Sequence, residues 1–310
     1  MARKKIALIG GGQIGGILAL LAAQKELGDV VIYDIPDKAS LAKGKALDIA
    51  QLAPPENCTC TLQGTSNPED LQGADIVIVT AGVPRKPGMS REDLKDINIK
   101  IITDIAQKVK QYCPDSFNII ITNPLDTMVY VFKQITGFSK ERVVGMAGVL
   151  DSSRFRAFVA MELNVSVESV SAIVLGGHGP AMVPLPRLCT VGGIPLTDLM
   201  SGDKIDQVVQ RTRDAGAELV KLYENGSAFF STAASAMIMA ESFLKDKRMI
   251  LPCAAFCEGE YGINGYYLGV PVIIGGNGAE KILEIELTEE EKKALLETFE
   301  AVKKSVDGIT

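Results

Sequence analysis

The chain has one histidine in 310 residues, six scattered cysteines, no surplus of basic charge and no long apolar run uninterrupted by glycine. Each scarcity closes off a class of protein. Lys and Arg number 32 against 38 Asp and Glu, giving a net charge of −6 and a pI near 5.1. No general positive field exists to draw nucleic acid or an anionic membrane, so an anionic ligand must be met locally. Among the cysteines, only Cys58 with Cys60 and Cys253 with Cys257 lie near each other in sequence. That is no disulfide framework, and a single histidine leaves a zinc site short of ligands, so reduced thiols in a cytoplasmic, metal-free protein are expected.

The basic start Arg3-Lys4-Lys5 followed by uncharged residues 6–24 has the outline of a secretory signal. Gly10, Gly11, Gly12, Gly15 and Gly16 would break the apolar helix such a signal needs, and Ile6-Ala7-Leu8-Ile9 before them reads as a strand, so no export is expected. Residues 262–279 are also uncharged, but they contain Gly, Pro and Asn and are too short to span a membrane. What is present is ordinary for a soluble chain: 47% apolar and 23% charged residues, with 30 glycines that point to many tight turns or close backbone-to-ligand approaches. The length suits two closely packed domains or one large α/β domain.

The first half alternates short β-rich runs with helical patterns. Residues 6–9, 30–33, 75–80, 117–122 and 142–146 read as strands, and 13–27, 38–52, 91–112 and 125–135 as the helices that cross between them. Continuous apolar strands such as Ile76-Val77-Ile78-Val79 and Ile119-Ile120-Ile121 imply burial on both faces. The expected fold class over residues 1–148 is therefore α/β, a doubly wound parallel sheet. Over residues 149–310 the pattern is mixed α+β: a helix at 152–162, a proline-containing β-rich stretch at 170–195, helices at 203–223 and 231–244, and short strands at 249–256 and 270–274. Thr288-Glu289-Glu290-Glu291 opens a last helix with a capping box, and Leu295, Leu296, Phe299, Val302 and Val306 are assigned to one face, a structural role. Neither an internal repeat nor a disordered linker separates the halves, so a shared interface is expected between them.

Gly10-Gly11-Gly12-Gln13-Ile14-Gly15 satisfies G-x-G-x-x-G between a strand and a helix, the setting in which this otherwise weak motif marks a dinucleotide site. Gly10 permits a tight turn, Gly12 lets a pyrophosphate approach the amides at the helix start, and Gly15 allows close packing of helix on strand. Asp34, nineteen residues after Gly15, ends the second strand, and no Arg follows in Ile35-Pro36-Asp37. A carboxylate there accepts from an adenosine ribose and repels a 2′-phosphate, favouring NAD over NADP. The plain alternative is a glycine-rich turn capped by Asp34.

His178 lies in Gly176-Gly177-His178-Gly179-Pro180 after an apolar strand, with glycines clearing space around the chain's single imidazole. Such a group is the default carrier of a proton near neutral pH. Asp151 and Arg154, three apart at a helix start, share a face: one suits the imidazolium, the other a carboxylate. By themselves they also fit an ordinary intrahelical ion pair with Asp151 as N-cap. Residues 82–91, Gly-Val-Pro-Arg-Lys-Pro-Gly-Met-Ser-Arg, follow a strand and hold three cations, which reads as a cationic lid where α/β folds bind ligands or as a solvated basic loop. Asn123-Pro124 ends another strand, where Asn123 either bonds a ligand oxygen or shapes the turn.

GGGQIG, Asp34, GVPRKPGMSREDL, ITNPLD, LDSSRFR and GGHGP, in this order over essentially the whole chain, resemble the lactate and malate dehydrogenase family, and within it the lactate-dehydrogenase-like malate dehydrogenases of bacteria. The resemblance implies a Rossmann domain followed by a substrate-binding and catalytic domain, and hydride transfer between nicotinamide and C2 of a 2-hydroxy acid. It implies that His178 exchanges the hydroxyl proton and Asp151 orients it. Arg154 would bind the carboxylate beside the reacting carbon, Arg91 polarise the carbonyl, and Asn123 bond the reacting oxygen or nearby ribose. Asn98 and the backbone of Ile121, Thr122 and Asn123 would touch the cofactor, together with Gly10, Gly11, Gly12, Gln13, Ile14, Gly15 and Asp34.

In this family the specificity position falls on Arg85, where an uncharged Gln accompanies lactate and Arg accompanies malate; Arg85 thus implies a dicarboxylate substrate, because pyruvate would leave it unmatched. Phe229-Phe230-Ser231-Thr232 departs from the family by having Ser-Thr where Ala-Pro is expected near the substrate. A lactate-specific enzyme and an NAD-binding module without turnover are the competing readings; Arg85 opposes the first and the intact proton-transfer set the second. Homo-oligomers are usual in the family, and a tetramer is expected ahead of a dimer.

Overall fold

The computed structural model describes residues 3–84, 91–224 and 226–309, with the backbone alone for Arg91. In chain order the first elements are β1 (Lys5–Ile9), α1 (Gln13–Gln24), β2 (Asp29–Tyr33), α2 (Ala39–Glu56), β3 (Leu62–Thr65), β4 (Ile76–Val79), α3 (Arg91–Tyr112), β5 (Phe117–Ile120), α4 (Leu125–Thr136) and β6 (Val143–Gly145). There follow α5 (Gly148–Leu163), β7 (Val170–Ser171), β8 (Val174–Leu175), β9 (Val183–Pro184), β10 (Thr190–Val191), β11 (Ile194–Pro195), α6 (Leu196–Leu199) and α7 (Gly202–Tyr223). The last are α8 (Phe230–Leu244), β12 (Met249–Glu258), β13 (Asn264–Gly275), β14 (Gly278–Ile282) and α9 (Glu289–Val306).

Two compact units form, neither contiguous in sequence. One comprises the chain up to Gly145 with Phe229–Met249 and Ile273–Lys281; the other comprises Met146–Ala228, Ile250–Val272 and the chain from Ile282. Among the described residues a nine-stranded sheet has the order β14-β13-β12-β6-β5-β4-β1-β2-β3. From β6 to β3 every pairing is parallel. The chain winds outward from β1 through β2 to β3, then returns beside β1 at β4 and winds the other way, so the order reverses between β1 and β4. Crevices at the carboxyl ends of strands are the ligand sites of such sheets at this reversal.

Every residue of β4 is fully buried, as its unbroken Ile-Val-Ile-Val demands of a strand covered on both faces. Burying each Ile or Leu of this layer stabilises by roughly 1.5–3 kcal/mol. β3 has no apolar run to announce it; it is an edge strand whose Gly64 lies so close to α2 that an added Cβ would sit 2.3 Å from the Ala42 carbonyl carbon. α1 ends earlier than its apolar pattern suggests, because Glu26 turns to φ +47° and Gly28 packs on the Lys4 carbonyl. α2 runs on through Pro54 and Pro55 to Asn57, whose left-handed conformation stops it.

α8 comes after Met146–Ala228 of the other unit yet belongs with the first, where it packs on α1 and stacks Phe243 on Phe117 at 4.7 Å. Its nearly buried Glu241 accepts from Lys247 at 2.7 Å, Lys25 at 3.0 Å and Lys245 at 3.2 Å. These bonds, that from Lys247 foremost, hold its carboxyl well below the ordinary 4.5, at about 2. A depressed carboxyl stabilises the fold above the ordinary value and loses that contribution as pH falls through the folded one. With the three lysines half-exposed, Glu241→Gln is expected to cost about 1–2 kcal/mol at neutral pH and much less near pH 2, a convergence readable from urea unfolding across that range.

In the second unit, Phe155 and Val159 of α5, Val170, Val174, Cys189, Leu196, and Ile205 and Val208 of α7 form one core. The β-rich stretch expected at 170–195 is here a set of two-residue strands. α9 begins with the expected capping box: Thr288 Oγ1 accepts from the Glu291 amide at 3.2 Å and the Glu291 carboxylate accepts from the Thr288 amide at 2.9 Å. Leu295, Val302 and Val306 are buried as expected, but Leu296 is 41% exposed. Adjacent helix positions diverge by about 100°, so Leu295 and Leu296 cannot share a narrow buried stripe, and Thr298 occupies the buried face instead.

Candidate active site

The glycine turn joins β1 to α1. Gly10 has φ +109°, its amide donates to the Tyr33 carbonyl at 2.8 Å, and Thr80 Oγ1 donates to its carbonyl at 3.1 Å. A Cβ on Gly15 would lie 1.9 Å from the Gly10 oxygen, so α1 packs on this turn only because residue 15 is glycine. Gly12 faces open space, with nothing within 4 Å of a Cβ placed there, and Gln13 beside it is exposed. The three glycines thus hold the separate roles that a pyrophosphate-binding turn requires. Buried Gly11 and half-buried Ile14 complete it.

Asp34 is 9% exposed; its Oδ2 accepts from the Gly11 amide and its Oδ1 from the Ile35 amide, each at 2.8 Å. The carboxylate therefore shapes the turn, and its remaining lone pairs can still accept from ribose hydroxyls. Lys45, which nothing in its sequence surroundings marks, reaches back from α2 to donate to the carbonyls of Gly11 at 2.8 Å and Gly12 at 2.6 Å. Burial pushes its ammonium pKa down, against the attraction of Asp34.

A second cluster of the same unit gathers beyond β4 and β5. Asn98, 1% exposed, accepts from the Val83 amide at 2.9 Å and donates to the carbonyls of Val83 at 3.2 Å and Asn123 at 2.7 Å. It staples the two loops together. Thr122 donates to the Ala81 carbonyl at 2.7 Å, the buried Ile121 amide donates to Val79, and Asn123 itself is exposed. A Cβ on Gly82 would meet Thr122 at 2.5 Å, so the loop starts with the one residue that fits. Arg85 lies outside the described residues; Arg91 begins α3, with its side chain likewise outside them.

In the second unit α5 begins at Gly148, with Ala147 as N-cap, earlier than the expected 152. Asp151 is consequently inside the helix, its amide bonded to the Ala147 carbonyl, and is not the cap. Its side chain is free to leave the helix surface: Oδ2 lies 2.9 Å from His178 Nδ1, and Oδ1 accepts from Arg154 at 3.0 Å. Asp151, Arg154 and His178 side chains are 3%, 12% and 17% exposed. An ionised carboxylate only accepts, so Nδ1 carries the proton toward Asp151, which leaves Nε2 as the ring nitrogen able to accept one. The Nε of Arg154 is buried with no hydrogen-bond partner among the described residues, a donor left unsatisfied there. Arg156 turns elsewhere and donates to the carbonyls of Val170 and Val167.

Ser231 and Thr232 open α8 in the first unit, Thr232 buried and Ser231 exposed. Ser152 and Thr298 also reach the histidine segment, contacts invisible in sequence because their partners lie 22 and 121 residues away.

A dinucleotide turn in one unit and a histidine paired to a carboxylate with a half-buried arginine in the other define an NAD-dependent dehydrogenase. The family model for the lactate/malate dehydrogenase NAD binding domain matches residues 4–145, and that for the alpha/beta C-terminal domain matches 148–310. The chain belongs to the lactate/malate dehydrogenase family. It is 58% identical to the malate dehydrogenase of Myxococcus xanthus over 307 residues, 99% of this chain and 98% of that protein. The structure of Cryptosporidium parvum malate dehydrogenase matches with TM-score 0.95 at 44% identity, covering 98% of each chain. That of Cryptosporidium parvum lactate dehydrogenase, complexed with lactic acid and nicotinamide adenine dinucleotide, matches with TM-score 0.95 at 45% identity over 99% of this chain and 98% of that one. Of the two activities in the family, malate dehydrogenase is the better supported for this chain.

Proposed function

We propose that the chain interconverts (S)-malate and oxaloacetate, with residues 1–148 holding NAD and residues 149–310 supplying the proton carrier and the cation for the carboxylate beside C2. The carrying observation is the Asp151–His178–Arg154 cluster, a buried carboxylate bonded at once to the only imidazole and to a half-buried guanidinium. The Gly10–Gly15 turn and Asp34 would hold the pyrophosphate and adenosine ribose, and Asn98, Ile121, Thr122 and Asn123 the nicotinamide end. NAD, when bound, supplies the acceptor for the hydride leaving C2.

During oxidation His178 Nε2 accepts the C2 hydroxyl proton, and Asp151 stabilises the imidazolium so formed. In the reverse direction the imidazolium returns that proton as the carbonyl is reduced. Arg154 grips the carboxylate next to C2 in a bidentate fork, Arg91 and Asn123 polarise the reacting oxygen, and Arg85 pairs the second carboxylate. Among the described residues no helix is long and apolar enough to cross a membrane. We further infer a cytoplasmic homo-oligomer, a tetramer ahead of a dimer and without nucleic-acid or membrane partners; the acidic net charge and exposed Leu41 and Leu47 on α2 favour this reading.

Rates of NADH oxidation with oxaloacetate and with pyruvate, measured in parallel on the native chain and on Arg85→Gln, test the assignment. Oxaloacetate should react far faster, and the variant should move the preference toward pyruvate by about 10–100-fold, the effect of a charge left unmatched by pyruvate. Faster turnover of pyruvate by the native chain would overturn the substrate assignment.

A further inference from the structure

α9 carries a buried hydroxyl onto the histidine loop. Thr298 is 2% exposed, and its Oγ1 accepts from the amide of Gly177, the residue immediately before His178, at 3.1 Å. Its methyl carbon would lie 2.7 Å from a Cβ on Gly176, which has φ +89°, so helix and loop fit each other only because residue 176 is glycine. From β13, Gly269 exchanges two backbone bonds with Gly176, at 2.8 and 3.2 Å. On the α5 side, Ser152 Oγ accepts from the Val174 amide at 3.0 Å, and Asp151 holds the imidazole itself.

The segment leading to His178 is therefore hung from three elements. Ser152 fixes the strand at Val174, and Gly269 fixes Gly176 through both its amide and its carbonyl. The peptide joining Gly176 to Gly177 is held at both ends, its carbonyl by the Gly269 amide and its N–H by Thr298, and its plane sets the direction in which the next residue leaves the backbone. A buried amide left unpaired would reorient or recruit water, and the imidazole would move with it.

We propose that Thr298 is a positioning residue for the dehydrogenase reaction, its hydroxyl fixing the Gly177 peptide so that His178 keeps Nδ1 on Asp151 and presents Nε2 to the substrate. The proposal rests on the reading of His178 as the proton carrier. C-terminal helix and proton transfer are thereby linked through one hydrogen bond between residues 121 apart in sequence.

Thr298→Val keeps the volume and removes the acceptor, whereas Thr298→Ser keeps the acceptor. For the oligomer as purified, Thr298→Val should lower kcat about tenfold, with the oxaloacetate KM and NADH affinity held within about threefold, since small misplacements of a reacting group cost turnover before binding. The primary isotope effect on kcat with NADH deuterated at the transferred position should rise, and Thr298→Ser should restore kcat to within about twofold of the native value. Because His178 is the only histidine, ¹⁵N-histidine labelling reports its ring directly: its resonances should shift or double in Thr298→Val and stay in place in Thr298→Ser. If Thr298→Val does not accumulate, Thr298→Cys, a poor acceptor of similar size, takes its place.

Native-like kcat in Thr298→Val, a serine variant as impaired as the valine one, or lowered kcat with unmoved histidine resonances each overturns the positioning role. A His178→Asn control separates the two levels: if it turns over nearly as fast as the native chain, the proton-carrier reading falls and takes this one with it. An inactive control beside a fully active Thr298→Val rejects Thr298 alone.

Discussion

Replacing His178 by Asn is expected to lower kcat for oxaloacetate reduction by about 10²–10⁴-fold, the usual contribution of a positioned acid–base group. The chain has no second histidine to substitute for it, and Asn cannot carry a proton at neutral pH. NADH binding should be unchanged, since the glycine turn and Asp34 belong to the other unit. Asp151→Asn should fall in the same range for a different reason. Its amide can still accept from Nδ1, but it offers no charge to the imidazolium and leaves Arg154 without its carboxylate. Stopped-flow NADH oxidation with saturating oxaloacetate reads both variants, alongside fluorescence titration of NADH. Retention of kcat within about tenfold by His178→Asn would falsify the assignment of the proton carrier.

Arg154→Met should act on two quantities at once. The Asp151 side chain is 3% exposed, so losing its cationic partner leaves a buried carboxylate uncompensated, and on the proposed reading the substrate carboxylate loses its fork. Breaking a buried pair typically costs about 3–5 kcal/mol, so kcat/KM for oxaloacetate should drop by about 10²–10⁴-fold, with a lower unfolding temperature besides. Arg154→Lys distinguishes the contributions: the charge remains and should recover stability, while the lost planar fork should leave kcat/KM depressed by about tenfold or more. Equal recovery of stability and activity in the lysine variant would show that charge alone matters at this position.

How much of the site the sequence discloses depends on the range of the interaction. The roles of Gly10, Gly12 and Gly15 are legible because a positive φ, an open approach and a 1.9 Å clash are consequences of having no Cβ. The capping box of α9 spans three residues and forms as written, whereas β3, an edge strand without an apolar run, gives no local signal. Asp151 and Arg154 stand three apart, so their pairing was readable; whether Asp151 capped its helix was not, because that turned on where α5 began.

By itself the sequence determined the parallel layer, through apolar strands suited only to burial on both faces, the dinucleotide turn, through glycine sterics, and the identity of the sole imidazole. Tertiary structure alone decided that Asp151 meets His178, that Lys45 braces the carbonyls behind the glycine turn, that α8 joins the first unit, and that Thr298 holds the histidine loop. The reason is physical. Steric freedom, capping and periodicity act within a few residues, but a bond between residues tens or hundreds apart forms only after packing has brought their elements together, and no local preference encodes that distance.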